Sequence, residues 1–133
     1  MNPLGITHLD HCSVIITDAA AARAFYGGAL GLQEIPAPRE FDLVAVWYDL
    51  GGTYLHLLLK PHPDAISPRH FCLHVADAAA AREVLRAKGV PVDETVTIAA
   101  ADRFFVRDPD GNRIELLQWK RRYDPVKDGR YSM

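Results

Sequence analysis

His11-Cys12-Ser13-Val14-Ile15-Ile16-Thr17-Asp18 is answered 59 residues later by His70-Phe71-Cys72-Leu73-His74-Val75-Ala76-Asp77. Each stretch starts on histidine, runs through mostly apolar residues, and ends on an aspartate before four alanines and an arginine. The same shift relates Arg23 to Arg82, Asp49 to Asp108 and Gly52 to Gly111. It also places His56 over Glu115. Aligned without gaps, residues 11–60 and 70–119 share 11 identities over 50 positions. Four of those are alanines, so the common order of elements says more than the count. The chain reads as a tandem duplication.

In the first copy, Leu9–Thr17 has the apolar, β-branched character of a strand. Asp18 suits a helix N-cap, and the helix runs to about Leu30, where Gly31 ends it. A short strand is expected at Gln33–Ile35. Phe41–Leu50 and Thr53–Lys60 follow as strands around the turn Asp49-Leu50-Gly51-Gly52. In the second copy, Phe71–Ala76 is a strand, Asp77 an N-cap and Ala78–Lys88 a helix closed by Gly89. Val92–Ile98 is a further strand. Arg103–Arg107 and Asn112–Trp119 form a hairpin across Asp108-Pro109-Asp110-Gly111, whose Asp, Pro and Gly fit a type I turn. Each copy is thus βαβββ. Pro61–Pro68, with three prolines, reads as a linker, and Lys120–Met133 as a polar surface tail.

Side chains alternate across a strand. His11, Ser13 and Ile15 therefore share a face, as do His70, Cys72 and His74. Tyr54, His56 and Leu58 share another, matched by Arg113, Glu115 and Leu117. If each copy curls, these faces line one concave cavity. The expected fold is α+β, with two tandem βαβββ modules, 6–60 and 69–119, forming a curved, partly open, mixed barrel-like cavity. Residues 1–119 would be a single domain and 120–133 a tail.

The bulk numbers are those of an ordinary globular domain. The 133 residues are 49% hydrophobic and 24% charged, with a net charge of −2. No strongly basic face suggests nucleic acid. No apolar run approaches the roughly 20 residues of a membrane helix. Two cysteines that are not equivalent in the repeat do not make a disulfide framework, and reduced thiols in a cytoplasmic protein are expected.

The duplication resembles the vicinal oxygen chelate superfamily, which includes glyoxalase I, methylmalonyl-CoA epimerase, fosfomycin-resistance transferases, extradiol dioxygenases and bleomycin-resistance proteins. The residues that carry the resemblance are Leu9-Asp10-His11 with Asp18, Ala24-Phe25-Tyr26 with Leu30-Gly31-Leu32, Leu55-His56-Leu57, His70 with Asp77, and Phe105–Glu115. By position it implies His11, His56, His70 and Glu115 as ligands of a divalent metal: Zn, Ni, Co, Mn or Fe. His56 departs from the carboxylate or amide usual at its place in glyoxalase-like and epimerase-like members.

The resemblance implies a metal-dependent, glyoxalase-like lyase or isomerase. Its small substrate would chelate the metal through neighbouring oxygens, an enediolate would be stabilised, and Glu115 would be both ligand and base. Four protein ligands leave two open places. Three leave three, as in Fe(II) oxygenases, so extradiol-type ring cleavage or fosfomycin-type thiol transfer is an alternative. A non-enzymatic bleomycin-resistance-like binding protein is another. The resemblance also implies a homodimer. His74, Tyr54 and Arg113 are candidate pocket residues, and Arg103, Arg107 and Arg113 candidate anion binders. His8 and His62 read as surface residues.

Overall fold

The computed structural model describes residues 2–42 and 45–132. The chain is α+β and divides into two compact units. The first comprises Met1–Ile66 with Pro109–Asn112, the second Ser67–Asp108 with Arg113–Met133.

In the first unit the strands are β1 (His11–Ile16), β2 (Gln33–Ile35), β3 (Ala45–Asp49) and β4 (Tyr54–Leu59). They hydrogen-bond in the order β1-β4-β3-β2, with β1 and β4 parallel and the other pairs antiparallel. The crossover from β1 is the helix α1 (Ala19–Arg23), capped by Asp18, whose carboxylate accepts from the Ala21 amide at 3.0 Å. Instead of staying α-helical to its end, the helix widens into a π-helical stretch, Ala24–Ala29, marked by the bond from the Leu30 amide to the Phe25 carbonyl. Gly27 and Gly28, poor α-formers, lie in it. Gly31 then turns the chain with φ of +73°.

Alternation puts Ile16, Val46, Tyr48, Leu55 and Leu57 on one face of this sheet. All are at most 1% exposed, and with the buried Ala22, Phe25 and Tyr26 they make the core of the unit. Each large apolar side chain buried there contributes about 1.5–3 kcal/mol. His11, Tyr54, His56 and Trp47 occupy the opposite face, because parity leaves them nowhere else. The segment Pro109–Asn112 fastens to β1. Asp110 accepts from the Thr17 amide at 2.9 Å and hydroxyl at 2.6 Å, and the Asn112 amide group donates to the Ile15 carbonyl at 2.7 Å.

The second unit repeats the plan with β5 (His70–His74), α2 (Ala78–Ala87), β6 (Asp93–Glu94), β7 (Ala101–Arg107) and β8 (Arg113–Trp119), in the order β5-β8-β7-β6. Asp77 caps α2 as Asp18 caps α1, accepting from the Ala80 amide at 3.0 Å. The strand expected over Val92–Ile98 shrinks to Asp93–Glu94. Two carboxylates there reward pairing less than apolar residues would, but Glu94 has a partner. Arg82 binds it through two nitrogens at 2.9 and 3.0 Å, binds Asp102 at 2.7 and 3.1 Å, and lies 4.8 Å from the centroid of the Phe104 ring. Arg23 pairs with Glu34 in the same way in the first unit, at 3.0 and 3.1 Å. The duplication thus preserved an arginine on the helix and a glutamate on the strand that follows.

One equivalence read from the gapless alignment does not hold. Trp47 pairs with His56, and Phe105 with Glu115. The offset across the third strands is therefore 58 (105 − 47), against 59 (115 − 56) across the fourth. Asp49 ends β3, whereas Asp108 lies one residue past β7. The extra residue is in the second turn, where Gly111 takes φ of +86°.

The tail also holds structure that its polar composition concealed. A helical turn, α3 (Pro125–Asp128), is capped by Asp124 and held by a bidentate pair from Arg121 to Asp128, both distances 2.7 Å.

Candidate functional site

Each unit brings two of the four candidate ligands together. In the first, β1 and β4 run parallel with Ser13 opposite His56, so His11 and His56 are close on one face. Their rings stack, with centroids 4.1 Å apart and planes 23° from parallel. The other side of His56 lies on the Trp47 indole, centroids 3.6 Å apart. His11 Nδ1 is 2.8 Å from Asp10 Oδ2. An acceptor on Nδ1 fixes the tautomer and leaves Nε2 with a lone pair, as metal-binding histidines are commonly arranged. His56 is 7% exposed, and its Nε2 is buried without a hydrogen-bond partner among the described residues. Burial first, and His11 second, push its pKa below the ordinary histidine range. It is held as neutral imidazole, the form that binds metals.

In the second unit β5 and β8 are parallel, and Cys72 lies opposite Glu115. His70 Nε2 approaches Glu115 Oε1 at 3.1 Å, while His70 Nδ1 faces the Pro68 carbonyl at 2.9 Å. Glu115 Oε2 accepts from Arg103 Nη1 at 3.1 Å. The carboxylate is 7% exposed, so its charge needs both partners in that apolar strand. Phe105 stands edge-on to His70, with centroids 5.0 Å apart. The Arg113 guanidinium lies 3.5 Å from the centroid of the Phe105 ring.

The structure thus brings together His11 with His56, and His70 with Glu115. The two pairs belong to different units. Among the described residues, neither unit gathers three His, Cys, Asp or Glu side chains able to hold a metal. Tyr54 pairs opposite His11 and tilts toward Trp47 at 6.4 Å. His74 does not join His70. It is exposed at the far end of β5, where the Trp119 amide points to its Nε2 at 3.5 Å. Arg103, expected as an anion binder, is bound to Glu115 and orients it. Cys72 is held as a thiol, with its pKa pushed up to about 11 by desolvation and then by the Glu115 carboxylate. His8 and His62 are exposed.

Sequence reading missed Trp47. Its signal was parity: the short turn after Asp49 sets the residue that faces His56. The Trp47 indole N–H is also buried with no partner among the described residues. An unpaired buried donor costs about 1–3 kcal/mol.

The donors in each unit are of kinds that a divalent cation takes. Two imidazoles have Nδ1 against an acceptor, a third has an orphaned Nε2, and a carboxylate aims one oxygen at an imidazole nitrogen. Such N and O donors suit first-row divalent metals.

Known proteins share this architecture. A glyoxalase family protein from Bacillus anthracis has 30% identity and a TM-score of 0.81, over 86% of this chain and 97% of that one. TnmS3, an antibiotic binding protein from Streptomyces sp. CB03234, has 25% identity and a TM-score of 0.73, over 86% and 98%. Glyoxylase I 4 from Arabidopsis thaliana is 28% identical, over 86% of this chain and 72% of its own length. A sequence model of the Glyoxalase/Bleomycin resistance protein/Dioxygenase superfamily matches residues 8–116. With that match spanning most of its length, the chain belongs to the glyoxalase/bleomycin resistance protein/dioxygenase superfamily.

Proposed function

We propose that this protein is a metal-dependent, glyoxalase-like lyase or isomerase. Its substrate is a small molecule with neighbouring oxygens. His11 and His56 in the first unit, and His70 and Glu115 in the second, are the proposed ligands for divalent metal of the Zn, Ni, Co, Mn or Fe class. We assign it to the cytoplasm as a homodimer.

One observation carries this reading. Both ring nitrogens of His70 face oxygen acceptors, Pro68 O and Glu115 Oε1. A neutral imidazole has one N–H. If Nδ1 keeps it for Pro68, the lone pair of Nε2 lies beside a carboxylate oxygen, and the two groups would be suited to hold a divalent cation. The bound cation supplies Lewis acidity to negative charge developing on the substrate oxygens. Glu115 accepts the proton from the carbon beside the carbonyl. Arg103 holds its other oxygen and keeps the carboxylate oriented. Cys72, raised to about 11, is poorly suited to act as a nucleophile at neutral pH.

A second reading, a protein that sequesters a flat ligand, draws on the likeness to TnmS3 and on the stacked rings of His11, His56 and Trp47. Deuterium exchange separates the two. Protein loaded with each metal in turn is incubated in D2O with hydroxyacetone as a simple neighbouring-oxygen probe. Exchange at the carbon beside the carbonyl supports the enzyme, and Glu115→Gln should abolish it. Full exchange in a Glu115→Gln protein that keeps its metal contradicts the role given to Glu115. No exchange with any loaded metal favours sequestration.

A further inference from the structure

We infer that the second unit carries an anion subsite beside Glu115, built from Arg113 and Arg103 around the Phe105 ring. The Arg113 guanidinium is 3.5 Å from the centroid of that ring and the Arg103 guanidinium 5.8 Å. Strand parity makes the arrangement. Arg113 and Glu115 are two apart on β8, Arg103 and Phe105 two apart on β7, and Phe105 pairs with Glu115. All four therefore share one face.

The charges on this face do not balance. Glu115 accepts from Arg103 at 3.1 Å and lies 3.1 Å from His70 Nε2. Among the described residues Arg113 has no acidic partner, and its one polar contact is the Pro68 carbonyl at a long 3.5 Å. Lying on an aromatic face holds a guanidinium in place but leaves its N–H edge unspent. Arg103 spends one nitrogen on Glu115, and its Nε is buried with no acceptor among the described residues. Two guanidiniums against one carboxylate leave a positive charge and unused planar donors. That chemistry recognises a carboxylate, phosphate or sulfate oxygen pair.

On the enzyme reading, the substrate carries an anionic group besides its neighbouring oxygens, and Arg113 reads it.

The probe is inorganic sulfate, titrated into chelator-treated, full-length protein at constant ionic strength. Binding is followed by the Nε–Hε resonances of the arginine side chains. Saturable shifts of Arg113 and Arg103, weakened at least tenfold in Arg113→Gln, are expected. The exposed Arg39 should shift only linearly. Arg113→Lys should recover part of the binding, because it keeps the charge but loses the planar fork. Linear shifts at all arginines, or saturable binding unchanged in Arg113→Gln, would overturn the subsite. The titration contains no metal, so it can fail while metal binding and proton exchange succeed, and the reverse.

Discussion

The His56 imidazole lies on the Trp47 indole with ring planes 13° from parallel and centroids 3.6 Å apart. His11 covers its other side. An imidazole packed between two rings gains dispersion and loses water, which disfavours its charged form. A pH dependence follows. The folded pKa of His56 is lowered, whereas the unfolded chain titrates near 6.5. Above about 6.5 both states are neutral and stability is unaffected. As pH falls below that value the unfolded chain gains a proton first, so stability falls. Urea midpoints between pH 5 and 8 should drop on the acid side, less steeply in His56→Gln. Trp47→Ala should return the His56 titration toward the ordinary histidine value, read from its ring-proton shifts. An unchanged titration would show that the indole does not set it.

The duplicated arginines should differ in weight. Arg23 has one exposed partner, and its side chain is 49% exposed. Exposed pairs contribute about 0–1 kcal/mol, so Arg23→Met should cost no more than that. Arg82 binds two carboxylates and lies over Phe104, with its side chain only 15% exposed. Arg82→Met leaves Asp102 without its guanidinium and Glu94 with only Arg86 at 3.6 Å, and should cost about 2 kcal/mol, between the exposed and buried ranges. Equal losses in chemical denaturation would refute the ranking.

Cys72 supplies a chemical readout of Glu115. With its pKa near 11, the thiol should alkylate slowly at pH 8 despite its exposed position. Removing the carboxylate opposite should lower that pKa. Glu115→Gln is therefore expected to speed iodoacetamide labelling of Cys72 several-fold at pH 8, by mass spectrometry. Equal rates would place Glu115 too far from the sulfur to matter.

Most of the fold was legible because it is periodic. Two capping aspartates, two alanine runs and alternating strands recur at one spacing, and local physics dictates each. Val92–Ile98 looks strand-like in isolation, but tertiary pairing reaches only Asp93 and Glu94, so β6 is shorter than the sequence suggests. The π-helical stretch and the helical turn in the tail depend on single contacts, such as Arg121 with Asp128, that no pattern announces. Within the site, parity assigned each candidate a strand face, while the parallel pairing that brings His11 to His56 and His70 to Glu115 is seen only in the structure. Arg103 was legible only as a charge. Its contact with Glu115 depends on the register of a hairpin with one extra residue in its turn, which the gapless alignment concealed.

The central claim is that His11, His56, His70 and Glu115 are ligands for divalent metal. Elemental analysis of protein purified without chelator or affinity metal tests it most directly, with His56→Ala and Glu115→Ala in parallel. The account predicts about one equivalent of a first-row metal in the parent protein and its loss from both variants. Metal retained in full by Glu115→Ala, or no metal in the parent even after loading, would contradict it.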